Sequence, residues 1–240
     1  MRDNLIERFP NQVVHPSPLR GLVHHGRWAE AMNDKHKIIV QAVKWAYDQA
    51  LSGVGKAGIE SVDELAEGYL SQSGSLESKV DSLIRWQVAK ASSAGFVTGL
   101  GGFTTMPVTL PANLTSVIFI QLRMIAAIAR MGGLNPHDDR VRTLAFACLA
   151  GNSTITEAMK QAGVLIGRKL TQAAIERISA EILKKINQAI GFRLVTKFGQ
   201  TGAVNLGKAI PIVGGIVSGS FDGVSTRVVG KVAKKAFIQI

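Results

Sequence analysis

A chain of 240 residues that is 46% hydrophobic is long enough to bury a substantial core, and its single cysteine excludes a framework of internal disulfides. Its formal net charge of +11 points to an anionic partner, either nucleic acid or lipid. The surplus is local: residues 160–240 hold 13 Lys and Arg against Glu176, Glu181 and Asp222, whereas residues 1–159 hold 15 against 14 acids.

The opening stretch MRDNLIERFPNQVVHPSPL has acids and prolines but no apolar run, so no export signal is expected and the cytoplasm is the expected compartment. Residues 1–32 read as an irregular segment because HPSPLRGLVHHG interrupts any long helix. Residues 33–240 read as a single all-α domain. Asn33 or Asp34 is placed to cap a helix through KHKIIVQAVKWAYDQALSG, whose apolar positions Ile38, Val40, Val43, Tyr47, Ala50 and Leu51 recur at helical spacing. GVGKAG breaks it. Ser61 followed three residues later by Glu64 predicts a capping box and a second helix. A third begins near Ser75, with Leu76, Val80, Leu83, Ile84, Gln87 and Val88 as its inward stripe.

From Ala91 to Leu122 there are no charges over 32 positions. A membrane span needs about 20 apolar residues. Here Gly101, Gly102, Pro107 and Pro111 divide the run into two short pieces, the second reaching from about Pro111 to Met131. Both a buried hairpin and one dipping into a bilayer fit this text. Asn135 then reads as an N-cap, with Pro136 at the first helical position and Asp138 and Asp139 in the first turn, for a helix to about Ala150. A long helical pattern covers Thr154–Ile190, bending at Gly163 or Gly167, with a basic polar face. GFRLVTKFGQTGAVNLGK reads as short and glycine-punctuated. The last helix runs from Ile210 or Pro211 to Phe237 and ends in VGKVAKKAF. The expected architecture is a multi-helix bundle with a glycine-rich apolar hairpin and a basic C-terminal helix.

Gly215, Gly219 and Gly223 fall four residues apart. Glycine weakens a helix by about 1 kcal/mol relative to Ala, and close approach of a second helix is the usual compensation. These three, extended by Ser218 and Thr226, and the pair Gly95 and Gly99 are therefore expected at helix–helix contacts, within the chain ahead of contacts between copies of it. Asp222 lies among apolar residues and needs a partner, and Arg123, isolated in an apolar helix, is a candidate for it, as is Lys208. The five histidines form no zinc spacing and no HExxH, so no metal is expected. GVGKAG and GLGGF lack the spacing and the strand–loop–helix context of a phosphate or dinucleotide loop, and no G-x-S-x-G elbow occurs. Neither a catalytic set nor a cofactor follows. Basic residues without interleaved aromatics argue against nucleic acid. Lys184, Lys185, Lys231, Lys234 and Lys235, beside apolar glycine-rich helices, point instead to an anionic lipid surface.

The segments GFVTGLGGFTTMPVTLPANLTSVIFIQLRMIAAIARMGG, DDRVRTLAFACLAG and INQAIGFRLVTKFGQTGAVNLGKAIPIVGGIVSGSFDGVSTRVVGKVAKKAF resemble the EcsC family of bacterial proteins over roughly residues 90–237. The last segment also resembles the hydrophobic C-terminal domain of some bacterial membrane-associated GTPases. The EcsC likeness implies a helical protein tied to a membrane process, since the family is named for an operon that also encodes an ABC transporter. It supplies no catalytic residues. The expected function is that of a non-enzymatic protein peripheral to the inner face of the cell membrane, with anionic lipid and a membrane transporter as partners. The alternative is a binding protein or hydrolase for a lipid-like ligand, with Arg123, Asp222 and His137 as polar groups of a closed apolar cavity. The sequence sets no oligomeric state.

Overall fold

The computed structural model describes residues 37–55, 58–93, 112–163, 170–205 and 214–238, with the backbone alone at 112–113, 199–205 and 214–221. The expected Gly95–Gly99 pair and residues 1–32 lie outside these. The described residues are helical and form no strand, as the sequence predicts. The first helix, α1, covers 37–52. Gly53, at φ +74°, ends it and opens a tight turn closed by two main-chain hydrogen bonds between Val54 and Ile59. A Cβ at Gly53 would lie 2.6 Å from the Ile59 carbonyl oxygen, so this turn needs glycine.

Helix α2 (Val62–Leu70) begins with the predicted capping box, in which the Ser61 hydroxyl accepts from Glu64 N and the Glu64 carboxylate accepts from Ser61 N. Helix α3 (Leu76–Ser92) is capped by Ser75 and buries Val80, Leu83, Ile84, Gln87 and Ala91. Helix α4 (Ala112–Met131) is the second half of the uncharged stretch. It is long and apolar enough to cross a membrane, but every residue from Thr115 to Ala129 is buried inside the protein. It packs against α2, α3, α5 and α9 and so forms the axis of the bundle. Each large aliphatic side chain buried there contributes about 1.5–3 kcal/mol.

Asp138, rather than Asn135, caps helix α5 (Asp139–Ala150), its carboxylate accepting from Arg140 N. Asn135 instead closes the preceding turn by accepting from His137 N. Both residue types satisfy free amides, and spacing alone does not rank them. On α5, Phe146 meets Tyr47 edge-on at 5.4 Å, and the Tyr47 hydroxyl donates to the Pro136 carbonyl, which fixes α1 against α5.

The long helix expected over 154–190 is not present. Helix α6 (Asn152–Gln161) stops at Gly163, which has φ +69°. A short helix, α7 (Gln172–Glu176), is capped by Thr171, and α8 (Ala180–Asn205) starts after Ser179 accepts from Ile182 N. The capping hydroxyls Thr171 and Ser179 each open a new helix where the apolar period runs on unbroken. Conversely, the glycines at 191, 199 and 202 do not break α8, which runs through the stretch expected to be short.

Helix α9 (Gly214–Phe237) runs antiparallel to α3 and parallel to α4. On the α3 side, Lys234 meets Asp81, Gly230 faces Ile84, and Gly223 faces Val88 and Ser92. On the α4 side, Gln121 donates to Ser225 and Thr226, Gly230 faces Met124, and Gly132 lies beneath the Phe237 carbonyl.

Candidate functional site

Of the predicted packing glycines, Gly223 does meet another helix of the same chain. A Cβ there would lie 2.2 Å from the Ser92 hydroxyl oxygen. Gly215 and Gly219 lie on α9, and their surroundings fall outside the described side chains. A second close contact is seven residues on, at Gly230, where a Cβ would meet two carbons of Ile84 at 3.0 Å and the Met124 sulfur at 3.1 Å. Seven residues are close to two helical turns, so Gly223 and Gly230 share one face.

Arg123 and Asp222 do not meet. The Arg123 guanidinium donates to the Glu60 carbonyl at 2.9 Å and to the Glu60 carboxylate at 3.2 Å. Successive helical residues turn by about 100°, so two positions place Arg123 roughly 200° from Gln121. Because Gln121 faces α9, Arg123 faces the start of α2 instead. Burial lowers the Arg123 pKa, and the Glu60 contacts offset only part of that. Asp222 has no ionic partner among the described residues, and burial raises its pKa. Both observations agree with a carboxyl group half withdrawn from water.

The five predicted surface lysines separate into three environments. Lys234 donates to both Asp81 oxygens, at 2.8 and 2.9 Å, and its side chain is only 12% exposed, so it joins α9 to α3. Lys184 and Lys185 belong to α8, where Lys185 pairs with Glu181 and Lys184 borders a cleft. Lys231 and Lys235 remain on the solvent face of α9. With Val224, Arg227 and Val228 they form an exposed stripe at spacing i, i+3, i+4, i+7 and i+11. Val224 and Val228 are 64% and 55% exposed. On the neighbouring α3, Arg85 and Trp86 are exposed as well, the latter 56% exposed with Lys90 over its ring.

The cleft beside Lys184 has a volume of about 650 Å³ and lies between α1, α5 and α8. It opens to solvent, and neither Arg123, Asp222 nor His137 lines it. His137 instead approaches Asp63 at 3.5 Å, where Arg130 also pairs at 2.8 Å. Cys148 is buried and its pKa is raised by burial, which makes it a core side chain. Among the described residues no group of three His, Cys, Asp or Glu is placed to hold a metal ion.

Glu60, Asp81 and Trp86 were not singled out by the sequence reading. Asp81 and Glu60 look like ordinary surface acids until the helices that they meet are placed. Trp86 was readable as lying just off the stripe Leu83–Ile84–Gln87.

No curated protein and no solved structure matches the chain. Residues 21–239 match the EcsC protein family, so the match reaches well upstream of the segments that carry the likeness in sequence. With nearly its whole length matched, the chain belongs to the EcsC family.

Proposed function

We propose that this is a binding rather than a catalytic protein, which docks on an anionic membrane surface through the outward faces of α9 and α3, at the inner face of the cell membrane. The exposed α9 stripe of Val224, Arg227, Val228, Lys231 and Lys235 carries this reading. Cations interleaved with exposed apolar side chains on one helix face suit the boundary between lipid head groups and acyl chains. Asp81, the acid where the two helices meet, is occupied by Lys234 and takes little from the positive field. Because α4 is enclosed by its neighbours, the reading places a surface contact, with the bundle folded, ahead of a spanning helix. Accessory action on a membrane transporter rests on the family likeness alone.

Sedimentation of the full-length protein with vesicles tests the reading. Binding to vesicles rich in anionic lipid is expected to fall steeply as salt rises. Equal binding to neutral and anionic vesicles, or none to either, overturns it.

A further inference from the structure

We infer that the cleft between α1, α5 and α8 binds a single-chain amphiphile with an anionic head, a fatty carboxylate or an alkyl phosphate. Its volume of about 650 Å³ falls within the ~300–1,000 Å³ of small-molecule sites. Val40 and Val43 of α1, Phe146 of α5, and Leu183 and Leu194 of α8 give it apolar walls. Lys44 from α1 and Lys184 from α8 stand at its edge, both exposed and both without an ion pair among the described residues. Arg142 and Asp139 also border the cleft, 3.8 Å apart, and their charges balance each other. Arg142 further bonds to Asp48 at 2.7 Å and covers the Tyr47 ring. Thr143 donates to Asn187 across the α5–α8 side, so the cleft's polar border is anchored to two helices.

An apolar trough with two uncompensated ammonium groups is complementary to a chain that ends in negative charge. A neutral chain fills the trough and leaves both lysines unused, and a cationic amphiphile is repelled by them. None of the residues of the proposed lipid-facing stripe belongs to this site. The two proposals therefore stand or fall separately.

The test uses the full-length protein and titration calorimetry with dodecanoate, dodecyl phosphate, dodecanol and dodecylammonium, the ionic amphiphiles below their micelle concentrations and dodecanol below its solubility limit. Dodecanoate or dodecyl phosphate is expected to bind saturably at one per chain, with dodecanol at least about tenfold weaker. The tighter of the two anions distinguishes a free fatty acid from a phosphate-headed lipid. Lys44→Gln with Lys184→Gln is expected to weaken the anions by about tenfold or more and to leave dodecanol unchanged. Ala180→Trp, at an exposed position lining the cleft, is expected to block every chain while thermal melting shows the fold intact. Absence of saturable binding, equal affinity for dodecanol and the anions, or binding indifferent to Ala180→Trp overturns the inference.

Discussion

Arg123 on α4 is held by Glu60 at the end of the Gly53–Gly58 turn, while Asp222 on α9 stands apart from it. This relationship is measurable. Glu60 is half exposed, so Glu60→Gln is expected to lower stability by only about 1 kcal/mol. In a double-mutant cycle by urea denaturation, Glu60→Gln with Arg123→Met should show a coupling of about 1 kcal/mol. Asp222→Asn with Arg123→Met should add to within about 0.3–0.5 kcal/mol. A larger coupling to Asp222 contradicts the observed pairing.

The same relationship marks where sequence reading succeeds and where it stops. Local chemistry was legible: Ser61 and Glu64 announce α2, Ser75 announces α3, and the stripe through Leu83, Ile84 and Gln87 points inward as written. These signals act within one or two helical turns. The partner of Arg123 lies 63 residues away, and that of Lys234 lies 153 away. Helix packing sets such pairs, and one sequence carries no record of it. The interruption near Gly163 was readable from its glycine, but the separate helix starts after Thr171 and Ser179 were not, for a different reason. Apolar residues there keep helical spacing on both sides, so period alone joins helices that capping separates. In the candidate surface, Lys231 and Lys235 were readable, whereas the removal of Lys234 by Asp81 was not.

Glycine substitutions are expected to rank by what a new Cβ meets. At Gly132 it would lie 2.6 Å from the main-chain oxygen of Phe237, which cannot turn aside. Gly132→Ala should therefore destabilise by about 1–3 kcal/mol. At Gly230 the neighbours are side-chain atoms at 3.0–3.1 Å, and a smaller loss is expected. At Gly223 the close atom is the Ser92 hydroxyl oxygen, which can rotate away at the loss of its bond to the Val88 carbonyl. The gain of about 1 kcal/mol in helix propensity should bring Gly223→Ala close to neutral. Thermal melts of the three variants check the order, and a destabilisation by Gly223→Ala as large as that by Gly132→Ala contradicts it.

Cys148 is enclosed in α5 and its thiol is shifted upward by burial. The thiolate is the reactive species. Labelling by an aromatic disulfide reagent at pH 8 should therefore be undetectable in the folded protein and complete in denaturant. Fast labelling of the native protein would show that α5 opens readily or is less enclosed.

Stability should respond to alkaline pH through Lys197. Burial lowers its pKa from the ordinary 10.5 to about 8, while its ammonium donates to the Leu149 carbonyl at the end of α5. Between about pH 8 and 10.5 the unfolded chain keeps a proton that the folded chain has released. Stability therefore rises with pH across that window. Buried Cys148 and Tyr47 act oppositely, because each is raised on folding, and they erode stability above their ordinary 9.0 and 10.0. The Lys197 effect is thus clearest between pH 8 and 9. There, Lys197→Met should remove a rise that is at most about 1.4 kcal/mol per pH unit. Parallel stability–pH curves for the two proteins would contradict the depressed value.

On α9, two neighbouring lysines are expected to do different things. Lys234 is bound to Asp81 with its side chain 12% exposed, and Lys235 projects into solvent. Each cation near an anionic bilayer contributes about 1 kcal/mol, so Arg227→Gln, Lys231→Gln and Lys235→Gln together should weaken partition to anionic vesicles by about 100-fold. Their exposure predicts almost no change in the melting temperature. Lys234→Gln should behave inversely. It breaks a contact between α3 and α9 with one partner half exposed, so about 1 kcal/mol of stability is lost while vesicle binding stays near that of the parent. The contrast holds net charge per substitution constant and varies only the direction in which the lysine points. If Lys234→Gln and Lys235→Gln weaken vesicle binding equally, the attraction comes from overall charge, and the outward face of α9 is not the docking surface.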